Sequence, residues 1–237
     1  MKTKAVRLYG ANDLRLEEFE LPEIKDDEIL VKVMSDSICM STYKLLVQGK
    51  AHKRCPQDVD VHPVIIGHEL THGFDDQGCQ FDANGNMVNW WTPQDAEEFA
   101  KLTQGLVGQF DEIEVLPGLH ANGQYTLGEN IADQGGLRVA RTAFLDSQKK
   151  KGVDVKSEAA KIDGFDPMQV FYMNFANLWA QNIRDEEIRS LTSGDVHSLG
   201  NNRVNVSLKN IAPFFEAFGI KEGDKMFRPE AERVIIW

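Results

Sequence analysis

Two histidines four positions apart with a glutamate after the first, His68-Glu69-Leu70-Thr71-His72, carry the chemistry most easily read from this 237-residue chain. On a helix, residues at i and i+4 share a face, so His68 and His72 can present two imidazole nitrogens to one metal ion at ~2.0 to 2.1 Å. Glu69 then flanks the ion without ligating it. Zinc lowers the pKa of a water that it binds toward ~7, and a carboxylate beside that water can take its proton as it attacks a carbonyl. The spacing therefore points to metal-dependent hydrolysis, with Glu69 as the general base.

A catalytic zinc takes three protein ligands and leaves a fourth position open, so a third ligand must come from elsewhere in the chain. Glu129, which stands 129 − 72 = 57 residues beyond His72, is the best candidate, with Thr126 as a cap for its helix. Asp133 follows four residues later on the same helical face, placed to accept a hydrogen bond from a ligand histidine and fix its tautomer. Negative charge that develops on a substrate carbonyl rewards a positioned donor. His197 can supply one, with Asp195 to orient it, and Arg203 can hold a carbonyl or carboxylate through its planar fork.

These residues need a scaffold, and the chain is long enough to bury a core as one domain or two small ones. Residues 1–62 alternate apolar and polar positions in short runs such as Ile29-Leu30-Val31-Lys32-Val33, which reads as β structure. From about Val64 the period lengthens. Ala96–Leu102 and Val170–Trp179 space their apolar residues three and four apart, as helices do, while the polar run Ser147–Glu158 reads as a loop. Asp82–Asn86 reads as a turn, because a calcium loop would need Gly and Glu where Met87 and Pro93 stand. Trp90-Trp91 and Phe214-Phe215 read as packing residues.

The net charge of −11, from 26 basic and 37 acidic residues, argues against nucleic acid or an anionic membrane as the main partner. No apolar run approaches the ~20 residues of a membrane span, and the charged N-terminus lacks a signal-peptide core, so the expected compartment is the cytoplasm. Cys39, Cys55 and Cys79 do not form a disulfide framework and are expected as thiols. Cys39 reads as a small buried residue, and His52, His62 and His120 read as solvated.

Taken in order, His68–Gly78 (HELTHGFDDQG), Gly128–Asp133 (GENIAD), Asp195–Ser198 with Arg203-Val204-Asn205, and the terminal Val234–Trp237 resemble the neprilysin-type zinc metallopeptidases, family M13. The resemblance runs from about residue 64 to the C-terminus. It implies His68, His72 and Glu129 as zinc ligands and Glu69 as the base. It further implies Asp133 as support for a ligand histidine, His197 as transition-state stabiliser and Arg203 as a substrate-binding residue. An oligopeptide substrate and a secreted, periplasmic or membrane-anchored setting also follow from it. Val196 and Leu199 depart from the family, which has proline at those places.

Residues 1–69 instead resemble the GroES-like part of zinc-dependent medium-chain alcohol dehydrogenases, through Asp27–Val33, Ser37–Ser41 and Pro63–Glu69. In that family residues matching Cys39 and His68 bind zinc. The glycine-rich cofactor fingerprint that should follow a strand is missing, so no nicotinamide site is visible. Gly67-His68-Glu69 is common to both resemblances and marks the expected seam of a fusion. The expectation is an α+β chain, with a β-rich GroES-like segment over 1–62 and a mainly helical zincin-type region over 63–237. Its expected activity is that of a zinc metalloendopeptidase. A catalytically inactive zinc-binding fusion and a truncated dehydrogenase-like oxidoreductase stand as alternatives.

Overall fold

A computed structural model describes residues 2–10, 13–20, 68, 71–82 and 86–237. The chain divides into two compact units, Met1–His62 with Ala83–Gly85, and Pro63–Asp82 with Asn86–Trp237. In the first, β1 (Lys2–Gly10) pairs antiparallel with β2 (Asp13–Glu20), in a register that sets Val6 against Leu16 and Leu8 against Leu14. The rest of the expected GroES-like segment lies outside the described residues. So do Glu69, Cys39, Cys55, His52 and His62.

The second unit is mainly helical. Helix α1 (Pro93–Asp111) starts where its sequence allows: Thr92 Oγ1 accepts from the Asp95 amide, Asp95 accepts from the Thr92 amide, and Pro93, which has no N–H, needs no acceptor in the first turn. A short hairpin of β3 (Glu114–Leu116) and β4 (Leu119–His120) leads to α2 (Leu127–Lys150). Then follow α3 (Pro167–Leu178), α4 (Asp185–Gly194), α5 (Gly200–Lys209) and α6 (Ala212–Phe218), which Gly219 ends in the left-handed conformation at φ 63°. Among the described residues no helix is long and apolar enough to cross a membrane.

Two apolar clusters meet on α2 and α5. Leu127 and Ile131 of α2 and Val206 of α5 pack with Leu106, Val107 and Phe110 of α1 and with Val234. Further along, Leu137, Val204 and Leu208 pack with Tyr172, Phe175, Phe214 and Phe215. Side chains of this size contribute roughly 1.5–3 kcal/mol each when fully buried, so α2 and α5 are each held by both clusters. The site is built on them.

The histidine segment approaches α2 closely, with helical backbone at His68, Thr71 and His72. A Cβ on Gly135 would stand 2.5 Å from the Thr71 side chain, closer than real contacts allow. Glycine at that position is what lets α2 lie against the histidines.

Two expectations about α2 are corrected. Thr126 occupies the N-cap position, but its hydroxyl makes no cap bond; it donates to the Asn122 carbonyl and accepts from Asn130. The expected loop at Ser147–Glu158 starts later, because Ser147–Lys150 continue the helix. Lys149 and Lys150 sit where the negative end of the helix dipole favours cations, and the chain turns at Gly152 with φ 71°. The helices expected at Ala96–Leu102 and Val170–Trp179 lie in α1 and α3, with Trp179 as the C-cap of α3. Phe214 and Phe215 are buried in the core, whereas Trp90 joins a half-exposed ring cluster with Phe74 and Trp91.

Candidate metal centre

His68, His72 and Glu129 come together from the histidine segment and the first turn of α2. His68 Nε2 lies 3.1 Å from His72 Nε2 and 3.2 Å from Glu129 Oε2, and His72 Nε2 lies 3.5 Å from Glu129 Oε1. Tetrahedral bonds of ~2.0–2.1 Å place ligand atoms about 3.3 Å apart, so this triangle has the size that a zinc ion requires. Among the described residues it is the one group of His, Cys, Asp or Glu close enough to hold a metal.

The other ring nitrogens explain why those three atoms face inward. His68 Nδ1 lies 3.1 Å from Asp133 Oδ1, and His72 Nδ1 lies 2.6 Å from Asp75 Oδ2. A carboxylate beside each Nδ1 favours a proton there, so the Nε2 atoms are the ones that would give up their protons and ligate a metal. Three electron-rich atoms at this spacing repel one another unless a cation or a proton lies between them. The donor set of two imidazoles and one carboxylate suits zinc.

Asp75 is a residue that sequence reasoning missed. It is buried, and its second oxygen accepts from the Gln77 and Gly78 amides at 2.8 and 2.7 Å. The turn can return to His72 because residue 78 is glycine: a Cβ there would lie 1.8 Å from the His72 carbonyl oxygen. An aspartate three residues after the second histidine, followed by that glycine, was the available signal.

Charge balance is unusual. Burial alone would lower the His68 pKa, but hydrogen bonds to Asp133 and Glu129 outweigh it and push it up to about 9. His72 is raised as well, against its own burial, by Asp75 and Glu129. A folded value above the unfolded 6.5 means that His68 stabilises the metal-free fold fully below pH 6.5, and loses that contribution as pH rises through about 9. The same proton competes with metal. Zinc binding at pH 7.5 is therefore expected to release about one proton from His68, with a further contribution from the raised His72, falling as pH passes 9. Titration calorimetry in buffers of different ionisation heat checks this, and heats independent of buffer would contradict it.

Arg203, from α5, reaches the same carboxylates. Its Nε and Nη2 donate to the two oxygens of Asp133 at 2.6 and 2.7 Å, and Nη2 also lies 3.3 Å from Glu129 Oε2. Its guanidinium stacks on Trp179 at 3.9 Å from the ring centre. Burial opposes ionisation of Asp133, but Arg203 and His68 overcome it and hold its carboxyl below the ordinary range. Glu129 is lowered in the same way by His68, His197 and Arg203. The sequence left Arg203 facing substrate, and the structure adds these two carboxylate partners.

His197 stands on the loop before α5. Its Nδ1 and backbone amide both meet Asp195 Oδ1, at 2.7 and 2.9 Å, and its Nε2 lies 3.2 Å from Glu129 Oε1. Asp195 orients the ring so that Nε2 points toward the three candidate ligands. His120, expected to be solvated, is exposed and bonds through Nδ1 to the Asp111 carbonyl.

Residues 57–234 match the family described as Peptidase family M13. The chain is 40% identical over 178 residues to neprilysin of Homo sapiens, a match covering 73% of this chain and 23% of that protein. To the neutral endopeptidase of Lactococcus lactis subsp. lactis (strain IL1403) it is 37% identical over 173 residues, covering 73% and 25%. It also resembles the crystal structure of a Mycobacterium tuberculosis zinc metalloprotease in complex with an inhibitor. That likeness has a TM-score of 0.68 and 37% identity, and covers 73% of this chain and 26% of the other. The chain thus spans about a quarter of the length of the curated relatives it matches.

Proposed function

Since this chain belongs to peptidase family M13, we propose that it is a zinc metalloendopeptidase catalytic region that hydrolyses peptide bonds of oligopeptides. The observation that carries the reading is the convergence of His68 Nε2, His72 Nε2 and the Glu129 carboxylate on one point. In it, these three residues hold zinc and Asp133 and Asp75 orient the two imidazoles. Bound zinc supplies a Lewis acid that polarises a carbonyl and acidifies water. Glu69 takes the proton from the attacking water, and His197 Nε2 donates toward the oxygen that gains charge. Arg203 keeps Glu129 and Asp133 ionised and in place, and any donor it turns toward the cleft binds a substrate carbonyl.

For residues 1–62 the proposal is a GroES-like segment joined near Gly67-His68-Glu69, a reading supported by the division of the chain after His62 and by the β1–β2 hairpin before it. The peptidase reading is tested with a fluorogenic peptide on the zinc-loaded chain. Glu69→Gln is expected to keep zinc and lose at least ~10²-fold in turnover. Retained turnover in that variant overturns the assigned base. A wild-type chain that holds zinc yet cleaves nothing overturns the activity, leaving a zinc-binding chain that spans a quarter of its relatives.

A further inference from the structure

Glu129 and His197 face one another, and each is followed in the chain by a member of one buried hydrogen-bonded cluster. Asn130 follows Glu129 on α2 and is 1% exposed; Ser198 follows His197 and is 9% exposed. The Ser198 hydroxyl lies 2.8 Å from Asn130 Oδ1 and 3.0 Å from Thr126 Oγ1, and donates toward them. Asn130 Nδ2 donates to Thr126 Oγ1 at 2.9 Å, and the Thr126 hydroxyl in turn donates to the Asn122 carbonyl. The cluster spans about seventy residues of sequence to join the histidine loop to the helix that carries Glu129.

Ser198 and Leu199 of that loop are buried, but a small gap remains beside it. A cavity lined by Asn122, Thr126, Thr192, Asp195, His197 and Asn202 lies against it. The buried Thr192 Oγ1 and Asn202 Nδ2 have no hydrogen-bond partner among the described residues, and Val196 is exposed. A satisfied polar cluster in a low-dielectric interior holds its geometry strongly, so here it registers the His197 loop against the helix that carries Glu129.

The geometry points to Ser198 and Asn130 as positioning residues that hold His197 at a fixed distance from Glu129. Neither touches the reacting atoms. Their role in turnover rests on the proposed peptidase function, because a misplacement of His197 by about 1 Å matters for rate only if His197 stabilises the transition state. Their role in ordering His197 does not depend on turnover.

Two readouts on the zinc-loaded full chain separate these points. With ¹³C-labelled histidine, the His197 ring resonance is expected to be single in the wild type and to broaden or split in Ser198→Ala and in Asn130→Ala, while the His68 and His72 resonances stay in place. Ser198→Thr, which keeps the hydroxyl, should restore the single resonance. An unaltered His197 resonance in a folded Ser198→Ala or Asn130→Ala chain overturns the proposal, as does equal broadening of all three histidines. Thr126→Val reaches the same cluster from the helix side if either variant fails to fold.

In peptide hydrolysis Ser198→Ala should lower kcat about 10- to 100-fold with KM changed less than about threefold. Added to His197→Ala it should cost nothing more. Additive losses overturn the route through His197. A wild type without hydrolysis sinks the proposed function alone, since the resonance measurement still decides the positioning role.

Discussion

Glu129→Ala is expected to abolish stable zinc binding, lowering affinity by more than the roughly 10- to 100-fold that follows from removing an outer hydrogen-bond partner of a ligand. Zinc needs three protein donors to be held with an open fourth position, and no other described carboxylate is grouped with His68 and His72 closely enough to replace Glu129. Loss of the carboxylate also removes the partner of His197 Nε2 and one partner of Arg203, so the effect reaches past the metal. The informative contrast is Cys39→Ala. A peptidase-type site loses zinc in Glu129→Ala and keeps it in Cys39→Ala, whereas a dehydrogenase-type site shows the reverse. Metal content after dialysis, with chelator competition for affinity, distinguishes the two.

Arg203→Met is expected to be the most destabilising single change in the site. It leaves Asp133, 2% exposed, without its bidentate partner and removes a permanent cation 3.3 Å from Glu129. Breaking a buried ion pair from one side costs about 3–5 kcal/mol, which for a domain of this size is a fall in Tm of roughly 6–20 °C. The pH dependence follows from the lowered Asp133 value. A carboxyl held below its unfolded pKa gives stability that is present above the unfolded value and lost as pH falls through the folded one. The gap between wild type and variant should therefore be widest near neutrality and shrink as the solution is acidified below the ordinary carboxylate range. Thermal melts from pH 7 to pH 3 measure it, and a gap that is small at every pH contradicts the role of this pair.

What could be read from the sequence were the features that local geometry decides. The i, i+4 spacing of His68 and His72 needs only a helix, and Glu129 with Asp133 repeats that spacing on a second one. The helical periods at Ala96–Leu102 and Val170–Trp179 are local too. What escaped depends on how elements cross. Arg203 meets Asp133 because α5 packs against α2, and no spacing along the chain encodes that meeting. Thr126 has the residue type of a helix cap, but a tertiary cluster with Asn130 and Ser198 takes its hydroxyl instead. Asp75 lay within the His68–Gly78 motif without a role of its own, and that role emerges only when the turn at Gly78 brings it back to His72. The Ser147–Lys150 turn of helix was hidden because polar, lysine-rich sequence suits a helix C-terminus as well as a loop.

The central claim is that two imidazoles and one carboxylate, from His68, His72 and Glu129, hold zinc in this chain. X-ray absorption at the zinc edge of the loaded protein tests it most directly. The account predicts a first shell of nitrogen and oxygen at ~2.0–2.2 Å, with the scattering of two imidazole rings and no sulfur. A sulfur shell at ~2.3 Å, or a metal environment with fewer than two imidazoles, would contradict it.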